Sequence, residues 1–365
     1  MPVEAKHKER CFARAGRLII VRDGRRACRI GEEEPMRAAI TASGHHVPDD
    51  VYPNSYFEGR LDTTDEWIRS RTGIVERRLA AGGGTSDLAV PAAQRCLDRR
   101  GISPAAVDCI IVATMTPDRL CPSTAAAVQR KLGAVNAWGF DVAAACSGFI
   151  YSLVVAAKLV ESGAARRVLV CGADRMSSVI DPEDRTTAVL FGDGAGAVLV
   201  EAVEDESVGI LDSVCHMDGD GEESLYIPAG GSVEPATPES VGARRHYVLQ
   251  DGATVFKAAV VGMAEVTEEL LKRNELALAD IAWLVPHQAN RRIIEAVARR
   301  LGLPLARVAI NIDRYGNTVA GTIPICLAEW DAAGRFAYGD RIVLSAFGAG
   351  FTAGSVFLRW AVPSR

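Results

Sequence analysis

The sequence predicts an α/β architecture with a largely parallel sheet, made of two similar halves. Short β-rich runs alternate with helical stretches from Met36 onward. The order of these features recurs in the second half of the chain. The composition is that of a folded globular protein: 365 residues, 48% hydrophobic, 24% charged and 6% aromatic, which excludes disordered, collagenous and low-complexity classes. That length suits two compact domains, or one large one assembled from two halves.

Residues 1–35 hold nine Lys or Arg and six Asp or Glu, with few apolar residues outside 18–21. They lack the apolar stretch and cleavage site of a secretory signal, and their acidic residues do not suit a transit peptide. We read them as an N-terminal extension, either disordered or an artefact of a start assigned upstream of Met36. Strands are expected over 38–41, 109–113, 168–171, 195–200, 281–285, 308–310, 342–345 and 355–358, where β-branched and apolar residues cluster between turn residues. Helices are expected over 86–99, 124–132, 147–161, 253–273, 292–300 and 322–333. The uncharged run from Val142 to Ala157 contains Ser147, Gly148, Tyr151 and Ser152. It falls short of the ~20 apolar residues of a bilayer span and reads as a helix buried all round.

A strand ends in a chemically loaded turn at CIIVATMTPD (109–118) and again at IAWLVPHQAN (281–290). An amphipathic helix then closes with QRKLG at 129–133 or ARRLG at 298–302, and VLVCGAD (168–174) pairs with IVLSAFG (342–348) at a separation of 174. We read an internal duplication joined between residues 205 and 240, with halves at 36–208 and 209–365.

The formal charge of −5 argues against wholesale nucleic-acid binding, so an anionic partner needs a local basic patch. Nine cysteines without CxxC spacing point to a reduced, cytoplasmic setting. No Cys/His spacing resembles a zinc site. FGDGAGAVLV (191–200) has glycines reminiscent of a dinucleotide fingerprint, but β-branched residues follow where a helix should start, so it reads as a turn into a strand.

Three polar residues are placed for chemistry. Cys146, in DVAAACSGF, stands where a strand-like approach gives way to the long apolar helix. A helix N-terminus there lowers a thiol pKa, and its unpaired N–H groups can hold an oxyanion. His287 lies just past a strand end, where parallel α/β sheets place their crevices. Asn317 lies in a Gly-Asn turn before another small-residue helix, 171 positions after Cys146, at what the duplication makes the corresponding junction. Cys, His and Asn in this order also occur in papain-like hydrolases, but the papain signature around the nucleophile is absent.

TDEWIRSRTGI (64–74), DVAAACSGF, FGDGAGA, VPHQANRRI (285–293), YGNT (315–318) and FGAGFTAGS (347–355) together resemble the β-ketoacyl-acyl-carrier-protein synthase III family of the thiolase superfamily, from about Met36 to Trp360. The resemblance implies a thiolase-like five-layered αβαβα fold from two duplicated halves, a homodimer, and catalysis by Cys146, His287 and Asn317. It implies transfer of an acyl group from coenzyme A to Cys146, then decarboxylative condensation with malonyl-acyl-carrier protein. His287 and Asn317 would bind the malonyl thioester carbonyl, and the backbone N–H groups of Cys146 and Ala349 would form the oxyanion hole. No metal or redox cofactor is implied.

By the same resemblance Trp67 and Arg185 sandwich the adenine of coenzyme A, Arg71 meets its phosphates, and Phe256 and Asn290 line the pantetheine tunnel. Lys257, Gln288, Arg292, Arg299 and Arg300 would form the docking patch for an acidic acyl-carrier protein. Two positions depart from the usual pattern. Ala349 stands where many members have the middle of three glycines. Cys121 stands where acetyl-specific members place a phenylalanine that closes the partner subunit's acyl pocket, which implies a primer longer or more branched than acetyl. The second reading is a specialised acyltransferase or polyketide-priming synthase that keeps Cys146 but serves a different acceptor.

Overall fold

The computed structural model describes residues 10–14, 17–22, 25–27 and 37–363. Within the expected extension, Arg10–Arg14, Arg17–Arg22 and Arg25–Ala27 form a three-stranded antiparallel sheet, a unit separate from the rest.

From Arg37 the first half runs β1 (Arg37–His46), α1 (Asp65–Thr72), α2 (Thr85–Arg100), β2 (Cys109–Ala113), α3 (Thr124–Leu132), β3 (Trp138–Val142), α4 (Gly148–Glu161), β4 (Arg167–Asp174) and β5 (Gly194–Val203). Its sheet has the order β1-β5-β4-β2-β3. The second half runs β6 (Gly209–Met217), α5 (Gly252–Arg273), β7 (Trp283–Pro286), α6 (Arg291–Leu301), α7 (Thr322–Ala332), β8 (Arg341–Gly348) and β9 (Thr352–Arg359), with the sheet order β6-β9-β8-β7. The two orders superpose element for element, β1 on β6 and β4 on β8, and the duplication is visible in the topology. The fifth strand expected at 308–310 is reduced to a single parallel bridge between Leu284 and Val308. Within these two sheets, two strands were not anticipated, β3 and β6; both lie at sheet edges and carry exposed positions, so neither shows the continuous apolar run of a strand covered on both faces.

Alternating residues of the sheets face different layers, as the two-residue period of a strand dictates. Ile110 and Val112 pack with Leu88, Ala92 and Cys96 of α2 and Val128 of α3. Cys109 and Ile111 face the other way, onto Phe149 and Leu153 of α4, in a core that also takes Ile323 and Leu327 of α7 and Ile342 and Leu344 of β8. On the far side of the second sheet, Val343 and Phe357 meet Met263 of α5 and Ile294 and Val297 of α6. The layers are therefore α2/α3, first sheet, α4/α7, second sheet, α5/α6. Helix α4, expected to be buried all round, leaves Val155 and Lys158 exposed. No helix among the described residues is long and apolar enough to cross a membrane.

The repeat distance sharpens at the central helices. β2 and β7, α4 and α7, and β4 and β8 each begin 174 positions apart. The short turns ahead of α4 and α7 obey the same shift: Ala145–Ser147 and Val319–Gly321 are both 3-10 turns. Each opens on a non-glycine residue with positive φ, Ala145 at 44° and Val319 at 51°. Cys146 therefore corresponds to Ala320, not to Asn317 as the 171-residue spacing suggested. Asn317 lies two residues before its half's turn, at the counterpart of Ala143.

Candidate active site

The two turns point the N-termini of the central helices at one cavity of ≈ 210 Å³, lined among others by Cys146, His287, Asn317 and Ala349. Cys146 is buried at the N-terminal turn of α4. The end of β8 closes against it: a Cβ on Gly348 would lie 2.8 Å from the backbone nitrogen of Cys146. Ala349 has no positive φ, and the unusual conformation falls instead on Gly350 at 138°, so a methyl group is accommodated where glycine is common.

Electrostatics at the sulfur differ from the sequence expectation. Burial pushes the Cys146 thiol well above its ordinary range and the Asp174 carboxylate adds to this, with its own backbone N–H acting the other way. The resting group is a thiol, and ionisation must accompany reaction.

His287 follows the last residue of β7 and is fixed to β8 by its backbone N–H, which donates to Ser345 O at 2.8 Å. Its Nδ1 lies 2.7 Å from Thr322 Oγ1, and Thr322 Oγ1 also reaches Val319 O at 3.1 Å. When the hydroxyl proton turns to Nδ1, Nε2 carries the ring hydrogen and is a donor; when it turns to Val319, Nε2 is an acceptor. Burial lowers the His287 pKa to about 3, so the ring is neutral. Asn317 Oδ1 accepts from Val319 N at 2.9 Å, which assigns the amide orientation and leaves Nδ2 as its donor.

Four cavity-lining residues, Leu190, Gly252, Phe256 and Asn290, also line an outer groove with Trp67, Arg71 and Arg292. The Arg185 guanidinium sits 5.0 Å from the Trp67 ring centre and donates to Asp62 O at 2.7 Å. The two planar groups touch each other, and a base stacked between them must part them. Asn290 caps α6 by accepting from Arg292 N at 2.8 Å.

Lys257, Arg292, Arg299 and Arg300 are exposed on α5 and α6. Arg292 lies over Phe256, 5.6 Å from its ring centre, and Arg300 pairs with Glu265 at 3.4 Å. Gln288 does not belong with them. It is 1% exposed, donates to Pro286 O at 2.7 Å and Ala309 O at 3.1 Å, and accepts from Asn311 N at 3.1 Å. Its amide is consumed in joining β7 to the 309–311 segment and cannot meet a partner protein. Cys121 is exposed on the loop after β2 and lines no part of this chain's own cavity.

Two residues that the sequence did not single out stand behind these groups. Thr322 holds the imidazole, and Asp174, fully buried at the end of β4, accepts from Met115 N (2.8 Å) and Ala320 N (3.0 Å). Neither belongs to a local pattern, because each meets its partner only through long-range packing.

A cysteine at the N-terminus of a central helix, with a neutral histidine and an asparagine on the facing half, inside two stacked α/β repeats, defines a condensing enzyme of the thiolase fold. Residues 140–219 match the family described as 3-oxoacyl-[acyl-carrier-protein] synthase III, and residues 271–360 match its C-terminal counterpart. The β-ketoacyl-[acyl-carrier-protein] synthase III of Chlorobaculum tepidum is 52% identical over 328 residues, covering 89% of this chain and 100% of that protein. That of Koribacter versatilis is 53% identical over 327 residues, covering 89% and 98%. Among solved structures, the 3-oxoacyl-[acyl-carrier-protein] synthase III of Aquifex aeolicus superposes with a TM-score of 0.82 at 42% identity, covering 88% of this chain and 100% of that one. The priming β-ketosynthase of the R1128 polyketide pathway gives 0.83 at 34% identity, covering 92% and 99%. The chain belongs to the β-ketoacyl-acyl-carrier-protein synthase III family.

Proposed function

We propose that this protein starts fatty acid synthesis by condensing an acyl-coenzyme A primer with malonyl-acyl-carrier protein. The observation that carries this reading is the convergence of Cys146, His287 and Asn317 on one cavity fed by an aromatic and basic groove. Cys146 Sγ attacks the primer thioester, and coenzyme A leaves with the proton that the thiol gives up. The tetrahedral oxyanion is held by the backbone N–H groups of Cys146 and Ala349. The malonyl thioester carbonyl then accepts hydrogen bonds from Asn317 Nδ2 and His287 Nε2–H. These stabilise the enolate formed as carbon dioxide departs. The enolate carbon attacks the acyl thioester, the Cys146 thiolate is expelled and reprotonated, and β-ketoacyl-acyl-carrier protein is released. Loss of carbon dioxide supplies the carbanion, so the cycle calls for no metal or redox cofactor.

Trp67, Arg185 and Arg71 receive the nucleotide end of coenzyme A, and Phe256 and Asn290 guide its pantetheine arm. Lys257, Arg292, Arg299 and Arg300 form the landing surface for acyl-carrier protein. A homodimer forms through the free edge of β3, where Trp138 is 50% exposed. This arrangement carries Cys121 toward the partner's acyl pocket, where its small side chain admits primers beyond acetyl. The cytoplasm suits an enzyme whose described cysteines, Cys146 among them, are free thiols. A polyketide-priming role is the second reading, favoured by the similarity to the R1128 enzyme but at lower identity than to the fatty-acid synthases.

Radiolabelled acyl-coenzyme A should label the wild type and leave Cys146→Ala unlabelled. The labelled enzyme should release carbon dioxide from malonyl-acyl-carrier protein, with an optimum primer longer or more branched than acetyl. No label removes the condensing reading. Label without carbon dioxide release makes the protein an acyltransferase, and turnover confined to acetyl-coenzyme A overturns the primer assignment.

A further inference from the structure

The 174-residue repeat places a carboxylate where the active half has an open site. Gly348 ends β8 and packs against the backbone nitrogen of Cys146. Its counterpart, 174 positions earlier, is Asp174 at the end of β4. Asp174 Oδ2 accepts from the backbone nitrogen of Ala320, the counterpart of Cys146, at 3.0 Å. The first helix N-terminus leaves its N–H for an oxyanion arising during reaction; the second is filled by a built-in anion. The other oxygen, Oδ1, accepts from Met115 N at 2.8 Å, Thr114 Oγ1 at 3.1 Å and Thr116 Oγ1 at 3.2 Å. The carboxylate thus ties the loop after β2 to the turn that follows Asn317.

That turn needs a tie. Val319 is β-branched and held at φ 51°, a conformation such residues avoid unless their surroundings enforce it. Asn317 Oδ1 leans on the N–H of Val319, and Asp174 fixes the next N–H along the chain. Releasing Ala320 would let the turn relax and swing the Asn317 amide with it.

We propose that Asp174 is a positioning residue for the condensing step, acting through the 319–321 turn on the carboxamide of Asn317. The assignment rests on the reading of Cys146 as acyl carrier and Asn317 as enolate donor given above. The Asp174 carboxylate also acts electrostatically on the Cys146 thiol, raising its pKa. The other titratable group at the sulfur is His287 after β7; the 114–116 loop, the 319–321 turn and the end of β8 contribute only hydroxyl and backbone groups. In its ionised form Asp174 therefore opposes ionisation of Cys146.

The test is Asp174→Asn, of the same shape, which must set an amide NH₂ against either Ala320 N–H or Met115 N–H. Condensation, followed as carbon dioxide release from preformed acyl-enzyme, should fall roughly 10- to 100-fold, the scale of a misplacement of about 1 Å. Labelling of Cys146 by acyl-coenzyme A should survive, and the pH midpoint of its alkylation by iodoacetamide should move down. Equal loss of both half-reactions with an unmoved alkylation midpoint overturns the proposal. Thr114→Val, which removes one donor to Asp174 and keeps the charge, should lower condensation by less and leave the alkylation midpoint where it is. If Asp174→Asn does not fold, an unchanged ratio of the two half-reactions in Thr114→Val overturns the proposal. Failure of the wild type to take label would strike the underlying reading instead.

Discussion

His287 Nδ1 and Thr322 Oγ1, 2.7 Å apart, occupy the positions that Ala113 and Gly148 hold in the first half. There a Cβ on Gly148 would come within 3.2 Å of the Ala113 methyl group. Two tightly packed small residues in one repeat have become a hydrogen-bonded pair in the other, and the exchange makes room for an imidazole and aims it.

Thr322→Val should therefore leave a buried ring nitrogen without a partner, costing roughly 1–3 kcal/mol of stability. It should slow condensation about 10-fold through loss of ring orientation, with acylation of Cys146 retained. Thr322→Ser should restore both. Carbon dioxide release and single-turnover labelling measure the two steps, and equal losses in Ser and Val would mean that the methyl group, not the hydroxyl, matters.

The neutral, buried imidazole gives a pH signature. The folded His287 binds a proton only near pH 3, whereas the unfolded residue does so near its ordinary 6.5. Between these values the unfolded chain holds the extra proton, so this group makes stability rise with pH up to about 6.5. Asp174, raised to about 7 by burial, contributes the opposite slope between 3.8 and 7. Comparing His287→Ala with wild type isolates the imidazole: the variant should lose less stability on acidification from pH 6.5 to 4 in urea unfolding. A steeper acid loss in the variant would contradict a neutral ring.

Ala145, at φ 44°, bears strain that glycine would not. Ala145→Gly should leave stability unchanged or raise it by up to about 1 kcal/mol, against the usual cost of about 0.5–1 kcal/mol for this change within a helix. Destabilisation beyond about 1 kcal/mol in denaturant titration would show the turn to be relaxed.

Gly348→Ala should be severe for its size. The added methyl group would meet the nitrogens of Cys146 at 2.8 Å and Ser147 at 3.1 Å, so β8 and the nucleophile turn must separate. Acylation should fall by about 10²-fold, with label incorporation as the measure. Near-normal labelling would show that the oxyanion site tolerates the displacement.

The legible parts of the molecule were those written in contiguous residues. Cys109–Ala113 is buried throughout and reads as a strand from its β-branched run alone. The cap and basic end of α6, from Asn290 to Gly302, likewise lie in one stretch. Trp138–Val142 was missed because an edge strand with Trp138 in solvent breaks that pattern. Gln288 was misplaced because adjacency to His287 in a motif says nothing about orientation at a strand end, where neighbouring side chains point to different sides. The Cys146 thiol was expected to be acidic from its helix position, yet depth of burial, which no short motif encodes, acts against that. Asp174 and Thr322 became visible only once residues 146 and 35 positions from them in sequence were brought within hydrogen-bond reach.

The duplicated blueprint offered two helix N-termini, and Asp174 occupies one of them from within. Each polypeptide therefore keeps a single berth for cargo, and saturating it with primer should load one acyl equivalent per chain, however closely the halves resemble each other.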